Sequence, residues 1–177
     1  MGIKQATQLL KTFMVGIIGL FSIICILSLL IPSTVIVSRN IVINSTDTTA
    51  IYQQIAHCNN WKNWHPIFKN TATVIQNDTV NNSSNIFINN TITTLHILPL
   101  QHTNSVQFVL SVKAEQPIEN TIAINEIPNT ATTQISWYAT NHFSWYPWQK
   151  FYAIFIDKLT GPSYDDALTG LKNYIEK

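Results

Sequence analysis

Charge is what this sequence has least of. Asp, Glu, Lys and Arg together make up 11% of its 177 residues, where about 25% is usual. Net charge is +1, and the ten Lys and Arg are scattered. A nucleic-acid binder would leave a basic stripe, so that class is excluded. Cysteine is almost absent. Cys25 and Cys58 are too few for a disulfide framework. Lipoprotein processing at Cys25 would need small residues before it, and Ile23 and Ile24 are bulky. No Gly-x-Ser-x-Gly elbow is present to present a nucleophilic serine.

The missing polarity is supplied by Asn and Thr, above all in "NTATVIQNDTVNNSSNIFINNTITT". Ile and Val recur through that stretch, so it reads as solvent-facing strand and turn positions and not as disorder. Its Asn-X-Ser/Thr triplets follow from the composition alone. The length suits one domain with its own core plus an appendage.

The appendage is the N-terminal run "FMVGIIGLFSIICILSLLI", Phe13 to Ile31, which carries no charge. As a helix it spans about 28 Å, close to the roughly 30 Å hydrocarbon layer of a bilayer. A cleavable signal has a shorter apolar region and a small-x-small site. This run is longer and ends in "LLIPSTV", so an uncleaved anchor is expected. Lys4 and Lys11 precede the span and the next cation is Arg39. The positive-inside bias then places the N-terminus in the cytoplasm and the rest outside, in the periplasm of a bacterium. The expected division is residues 1–33 as cytoplasmic N-terminus and transmembrane anchor, and 34–177 as one domain.

In that domain "VIVSRNIVIN" reads as a strand with Val37, Arg39, Ile41 and Ile43 on one face, and Ser38, Asn40 and Val42 on the other. "STDTTAIYQQIAHC" then predicts a short helix capped by Ser45 or Thr46, with Asp47 at its positive end and Ile51 and Ile55 as an i, i+4 pair. "NNWKNWHPIF" predicts a second helical turn stopped by Pro66, with Trp61 and Trp64 on one face. Six strands follow: "TATVIQ", "NIFIN", "TITTLHIL", "SVQFVLSV", "NTIAINEI" and "TATTQISWYAT". In the fourth, Val106, Phe108, Leu110 and Val112 alternate with Gln107, Ser111 and Lys113; in the last, Thr133, Ile135 and Trp137 alternate with Gln134 and Ser136. Such a sheet is wet on one side and covered on the other. "WQKFYAIFIDKL" is a helical candidate. After Gly161 and Pro162, "SYDDALTGLKNYIEK" predicts a separate closing helix. Its N-cap would be Ser163, its first turn would hold Asp165 and Asp166, and Tyr164, Leu168, Leu171 and Ile175 form its apolar stripe.

The chemistry-bearing residues do not assemble into a motif. His57 and His65 flank a helix break, His96 and His102 flank "ILPLQ", and His142 lies near an aromatic loop. None has a metal-ligand spacing with a cysteine or carboxylate. Arg39, sharing a face with Ile41 and Ile43, is the one charge placed to reach an interior, and at a rim its stem would pack while its head stays wet. The loop "HFSWYPWQKFYAIF" is dense in aromatics. Phe151 and Phe155 are expected in the core. Trp145, Tyr146 and Trp148 around Pro147 are expected to touch the bilayer or border a cavity mouth. Trp61 and Trp64 are expected to plug the short helices onto the sheet.

Three stretches together resemble the SRPBCC superfamily of START-like and polyketide cyclase/dehydrase proteins, and in particular its bacterial members with an N-terminal span. They are "SRNIVINSTDTTAIYQQIAHCNNWKNWHP", "TTQISWYAT" and "DKLTGPSYDDALTGLKNYIEK". The resemblance covers Thr34 to Lys177. Ala167 stands where Gly-Leu is more usual, and Asn clusters replace glycine turns between Asn77 and Asn90. It implies an α+β helix-grip fold: a curved antiparallel sheet wrapped around a long C-terminal helix, with two short helices after the first strand. It also implies a cavity for a hydrophobic small molecule or lipid. The lining is assigned to Trp64, Phe108, Leu110, Ile135, Trp137, Phe151, Phe155 and Leu168, with Trp64 at the entrance end. No catalytic residue, metal or cofactor is assigned. The function expected is non-catalytic binding beside the membrane. Two alternatives stand beside it: a cyclase/dehydratase-like enzyme using polar groups of the same cavity, and an interaction module whose pocket is filled by its own side chains.

Overall fold

Val and Ile alternate with polar residues in the first soluble segment, and it forms a strand, β1 (Thr34–Ile43), with Val37 and Ile43 buried and Arg39 and Ile41 half-buried on the same face. The computed structural model describes residues 2–69, 74–78, 83–88, 91–98, 104–112 and 116–177. Before β1 runs helix α1 (Ile3–Leu29), of which Gln8–Leu29 is long and apolar enough to cross a membrane. After β1 the chain enters α2 (Thr48–Ala56). Its cap is Asp47, whose carboxylate accepts from the Ala50 N–H at 2.8 Å; Ser45 instead accepts from the Asp47 N–H. The expected cap at Ser45 or Thr46 is therefore displaced by one or two residues. An aspartate acceptor also adds a negative charge at the positive helix end.

A 3₁₀ turn leads to α3 (Trp61–Trp64) and then α4 (Pro66–Lys69). Pro66 stops α3, as expected, and also opens α4, because the first helical position needs no N–H. All six later strands form: β2 (Val74–Asp78), β3 (Ser83–Ile88), β4 (Thr91–Leu98), β5 (Ser105–Val112), β6 (Ile118–Glu126) and β7 (Thr133–His142). The expected onset at Thr71, most of the Asn-rich turn residues, His102 and Lys113 lie outside the described residues, as does the side chain of His96. The strands form one antiparallel sheet in the order β1-β7-β6-β5-β4-β3-β2. β2 to β7 are successive neighbours, while β1 closes the far edge beside β7. Helices α2 to α4 thus carry the chain from one edge of the curved sheet to the other.

The two helices expected at the C-terminus are one, α5 (Pro147–Ile175), with Pro162 inside it. Ser163 is not a cap, and Asp165 and Asp166 are not first-turn residues. An interior proline deprives the Lys158 carbonyl of its donor and costs about 3 kcal/mol in an ordinary helix. Two features keep this one continuous. Gly161 has no Cβ to meet the proline ring. The Arg39 guanidinium holds the turns on both sides, reaching Asp157 at 2.9 Å and Asp165 at 3.1 Å.

The chain divides into two compact units, Met1–Ser33 with Phe143–Phe155, and Thr34–His142 with Ile156–Lys177. The second holds the core. There Ala167, Leu168 and Leu171 of α5, with Tyr164 and Ile175 at the margins, pack with Ile43, Ile51, Ile55, Trp64, Phe108, Ile135 and Trp137. The predicted stripe is the face that α5 buries.

Candidate functional site

The interior of the larger unit is built from rings. Trp61 meets Phe108 edge-on at 5.0 Å, Phe108 meets Trp137 at 5.9 Å, and Trp137 meets Tyr164 of α5 at 5.0 Å. Trp61 and Trp64, at 5.6 Å, are both fully buried. Burying an indole removes about 150–250 Å² from water, roughly 4–6 kcal/mol as an upper estimate. Each polar edge is satisfied. The Trp61 indole N–H donates to the Ile55 carbonyl at 2.7 Å and that of Trp64 to the Gln54 carbonyl at 3.1 Å. These are carbonyls of the last turn of α2, which the helix itself leaves without donors. The spacing of three in "WKNW" lets one helical turn close another. Trp137, from β7, donates to Asn120 on β6 at 2.9 Å, and Asn120 in turn donates to the Ile118 carbonyl.

His65 lies in the same cluster. Its ring stacks on Trp61 at 5.7 Å and faces Phe68 and Trp137 edge-on, and its Nδ1 accepts from the Ile67 N–H at 3.3 Å. Burial among rings pushes its pKa down to about 4, so it is neutral at pH 7. The Tyr164 phenol is raised by burial. Among the described residues no three His, Cys, Asp or Glu side chains gather as a metal would require.

Arg39 sits at the rim. Its head lies over Gly161, between Asp157 and Asp165, which are one turn to either side on α5. A Cβ at position 161 would collide with the guanidinium. Hydrogen bonding to Asp157 raises the Arg39 pKa and lowers that of Asp157. Both carboxylates are about half exposed. The arrangement is an open latch between β1 and α5.

Of the eight assigned lining residues, the structure brings six together. Trp64, Phe108, Ile135, Trp137 and Leu168 are buried in the core cluster and Leu110 packs half-buried against it. Phe151 and Phe155 belong to the other compact unit. Phe155 is 54% exposed and Phe151 half-buried, so the expected core packing of this i, i+4 pair does not occur. The part of α5 that enters the core cluster lies after Pro162, with Ala167, Leu168 and Leu171. Sequence reasoning assigned no site role to Trp61, His65 or Asn120. For Trp61 and His65 the cue was present in "WKNWHP"; Asn120 becomes visible only through the register that sets β6 beside Trp137.

No family model matches the chain, and no curated protein matches it significantly in sequence. Solved structures do resemble it. A protein of unknown function from Staphylococcus aureus aligns over 81% of this chain and 94% of its own, with 13% identity and a TM-score of 0.64. A START superfamily protein from Mycobacterium smegmatis aligns over 80% of this chain and 97% of its own, with 11% identity and a TM-score of 0.59. A protein of the dynemicin biosynthetic locus shares 9% identity over 80% of this chain and 47% of that one, with a TM-score of 0.57. At such identities the likeness is one of architecture. The curved sheet with α5 packed on it has a helix-grip fold similar to that of the START superfamily protein.

Proposed function

We propose that residues 34–177 form a non-catalytic binding domain for a hydrophobic small molecule or lipid. In this reading α1 tethers the domain to the bilayer, with the N-terminus cytoplasmic and the domain extracytoplasmic. The observation that carries the reading is the joint enclosure of apolar side chains by the C-terminal half of α5 and one face of β5 to β7. An apolar interior with a few placed polar groups suits a greasy guest; here these are Asn120, His65 and Tyr164. The START-like fold supports the same class of ligand. Trp64, Phe108, Leu110, Ile135, Trp137 and Leu168 would line the site.

A second reading has its own support. Trp61, Phe108, Trp137 and Tyr164 form a chain of successive ring contacts, which favours an interior filled by the protein itself and a role in protein interaction. The cyclase-like alternative would draw on the same polar groups, and the open Arg39 latch lends it no closed charged site. Native mass spectrometry of the full chain, released from detergent after exposure to a lipid extract, separates the first two. Binding predicts a retained hydrophobic mass that is lost in Leu110→Trp, which adds bulk at the half-buried edge of the cluster. Adducts equal in wild type and variant, such as lipids clinging to α1, would favour the filled interior.

A further inference from the structure

The smaller compact unit joins the end of α1 to Phe143–Phe155. The join is made by polar bonds. The Phe143 N–H donates to the Ser33 carbonyl at 2.7 Å, and the buried Lys150 ammonium donates to the Ile31 carbonyl at 2.9 Å and to the Ser33 hydroxyl. A cation just beyond the end of a helix is favoured by the negative pole there. Lys150 is the one charged residue in 143–155, and it is turned inward. What the segment shows outward is uncharged and aromatic. Trp145, Tyr146 and Trp148 form a stack with neighbouring centroids 4.8 and 5.0 Å apart. Trp145 is 68% and Trp148 64% exposed. Tyr152 and Phe155 continue from Trp148 at +4 and +7, both exposed, with Ile154 beside them. Amphipathic rings of this kind collect at the membrane–water boundary.

We propose that this aromatic face is a membrane-seated foot, lying in the interfacial layer of the bilayer that α1 crosses. The occupant follows from continuity. The foot is hydrogen-bonded to the last residues of the apolar run, so wherever that run leaves the hydrocarbon, Trp145, Tyr146 and Trp148 arrive at the headgroup level with it. The segment is therefore more than a connection between β7 and α5. It fixes the depth at which the chain leaves the membrane, and Lys150 is its positioning residue. The proposal rests on α1 being in the bilayer, and the test reads that separately.

The full chain is placed in nanodiscs of phosphatidylcholine brominated either high on the acyl chain or near its end, and washed with carbonate. Tryptophan emission is then compared with unbrominated discs. Trp61, Trp64 and Trp137 are buried, so two tryptophans of five report on lipid. Shallow bromines should remove up to about two fifths of the emission and deep ones less, and iodide in the buffer should quench poorly. Trp145→Phe with Trp148→Phe should abolish the bromine effect. Co-elution with the discs but no shallow quenching, or efficient iodide quenching, would overturn the foot and leave the anchor standing. Failure to co-elute would overturn both. The wild-type depth comparison decides the matter even if the double variant misfolds.

Discussion

His65 shows how a single side chain can report on the whole core. Its ring has Trp61, Trp64, Phe68 and Trp137 around it, and no partner there favours a charge. In the unfolded chain it would take up a proton below about pH 6.5, whereas in the folded chain it does so only below about 4. Between these values the unfolded state binds more protons, so stability rises with pH and falls as the solution is acidified. The loss should be on the order of 3 kcal/mol between pH 7 and pH 4. Asp157, whose pKa is lowered by Arg39, contributes in the same direction at still lower pH. Denaturant midpoints of wild type and His65→Gln at pH 7 and pH 4.5 check this: the variant should be less stable at pH 7 and show a flatter pH dependence. Equal slopes would mean that the ring is hydrated. The sequence revealed an aromatic neighbourhood at "WKNWHP"; that the imidazole is sealed inside depended on β7 bringing Trp137 across.

At the scale of elements, the contact that matters most is between α5 and α3. A Cβ at Gly170 would collide with the Trp64 carbonyl oxygen. Backbone cannot swing aside as a flexible side chain can. Helix propensity alone would favour alanine there by about 1 kcal/mol. The collision should outweigh that gain, giving Gly170→Ala a net loss of about 1–3 kcal/mol in denaturant unfolding of the full chain. The neighbouring exposed Thr169→Ala should change little. A stabilised Gly170→Ala would show that the two helices can separate at no cost. The single span of α5 belongs to the same scale. Gly-Pro-Ser reads locally as a helix boundary, and the partner that overrides it, Arg39, lies 126 residues from Asp165 in sequence. No local window contains both.

For the whole molecule, removal of residues 1–32 separates the two modes of membrane contact. A spanning helix holds almost irreversibly, whereas an interfacial aromatic face binds weakly and reversibly. The shortened chain should move to the soluble fraction and retain only vesicle binding that Trp145→Phe with Trp148→Phe abolishes, as read by sedimentation with liposomes. Retention as firm as that of the full chain would deny α1 the role of anchor.

Periodicity sufficed for much of this. The apolar run, the alternating strands and the stripe from Tyr164 to Ile175 are statements about one face of one element, and such patterns lie within a dozen residues. The sequence by itself therefore determined the order of strands and short helices and the apolar stripe that the end of α5 buries, but not that α5 is one helix or that Phe155 stays exposed. Only the tertiary structure decided which residues from distant elements meet. It set Arg39 against Asp157 and Asp165, put Trp137 beside His65, and joined Lys150 to the end of α1. Such meetings depend on sheet register and on how closely backbones can approach, and neither is encoded in any local pattern.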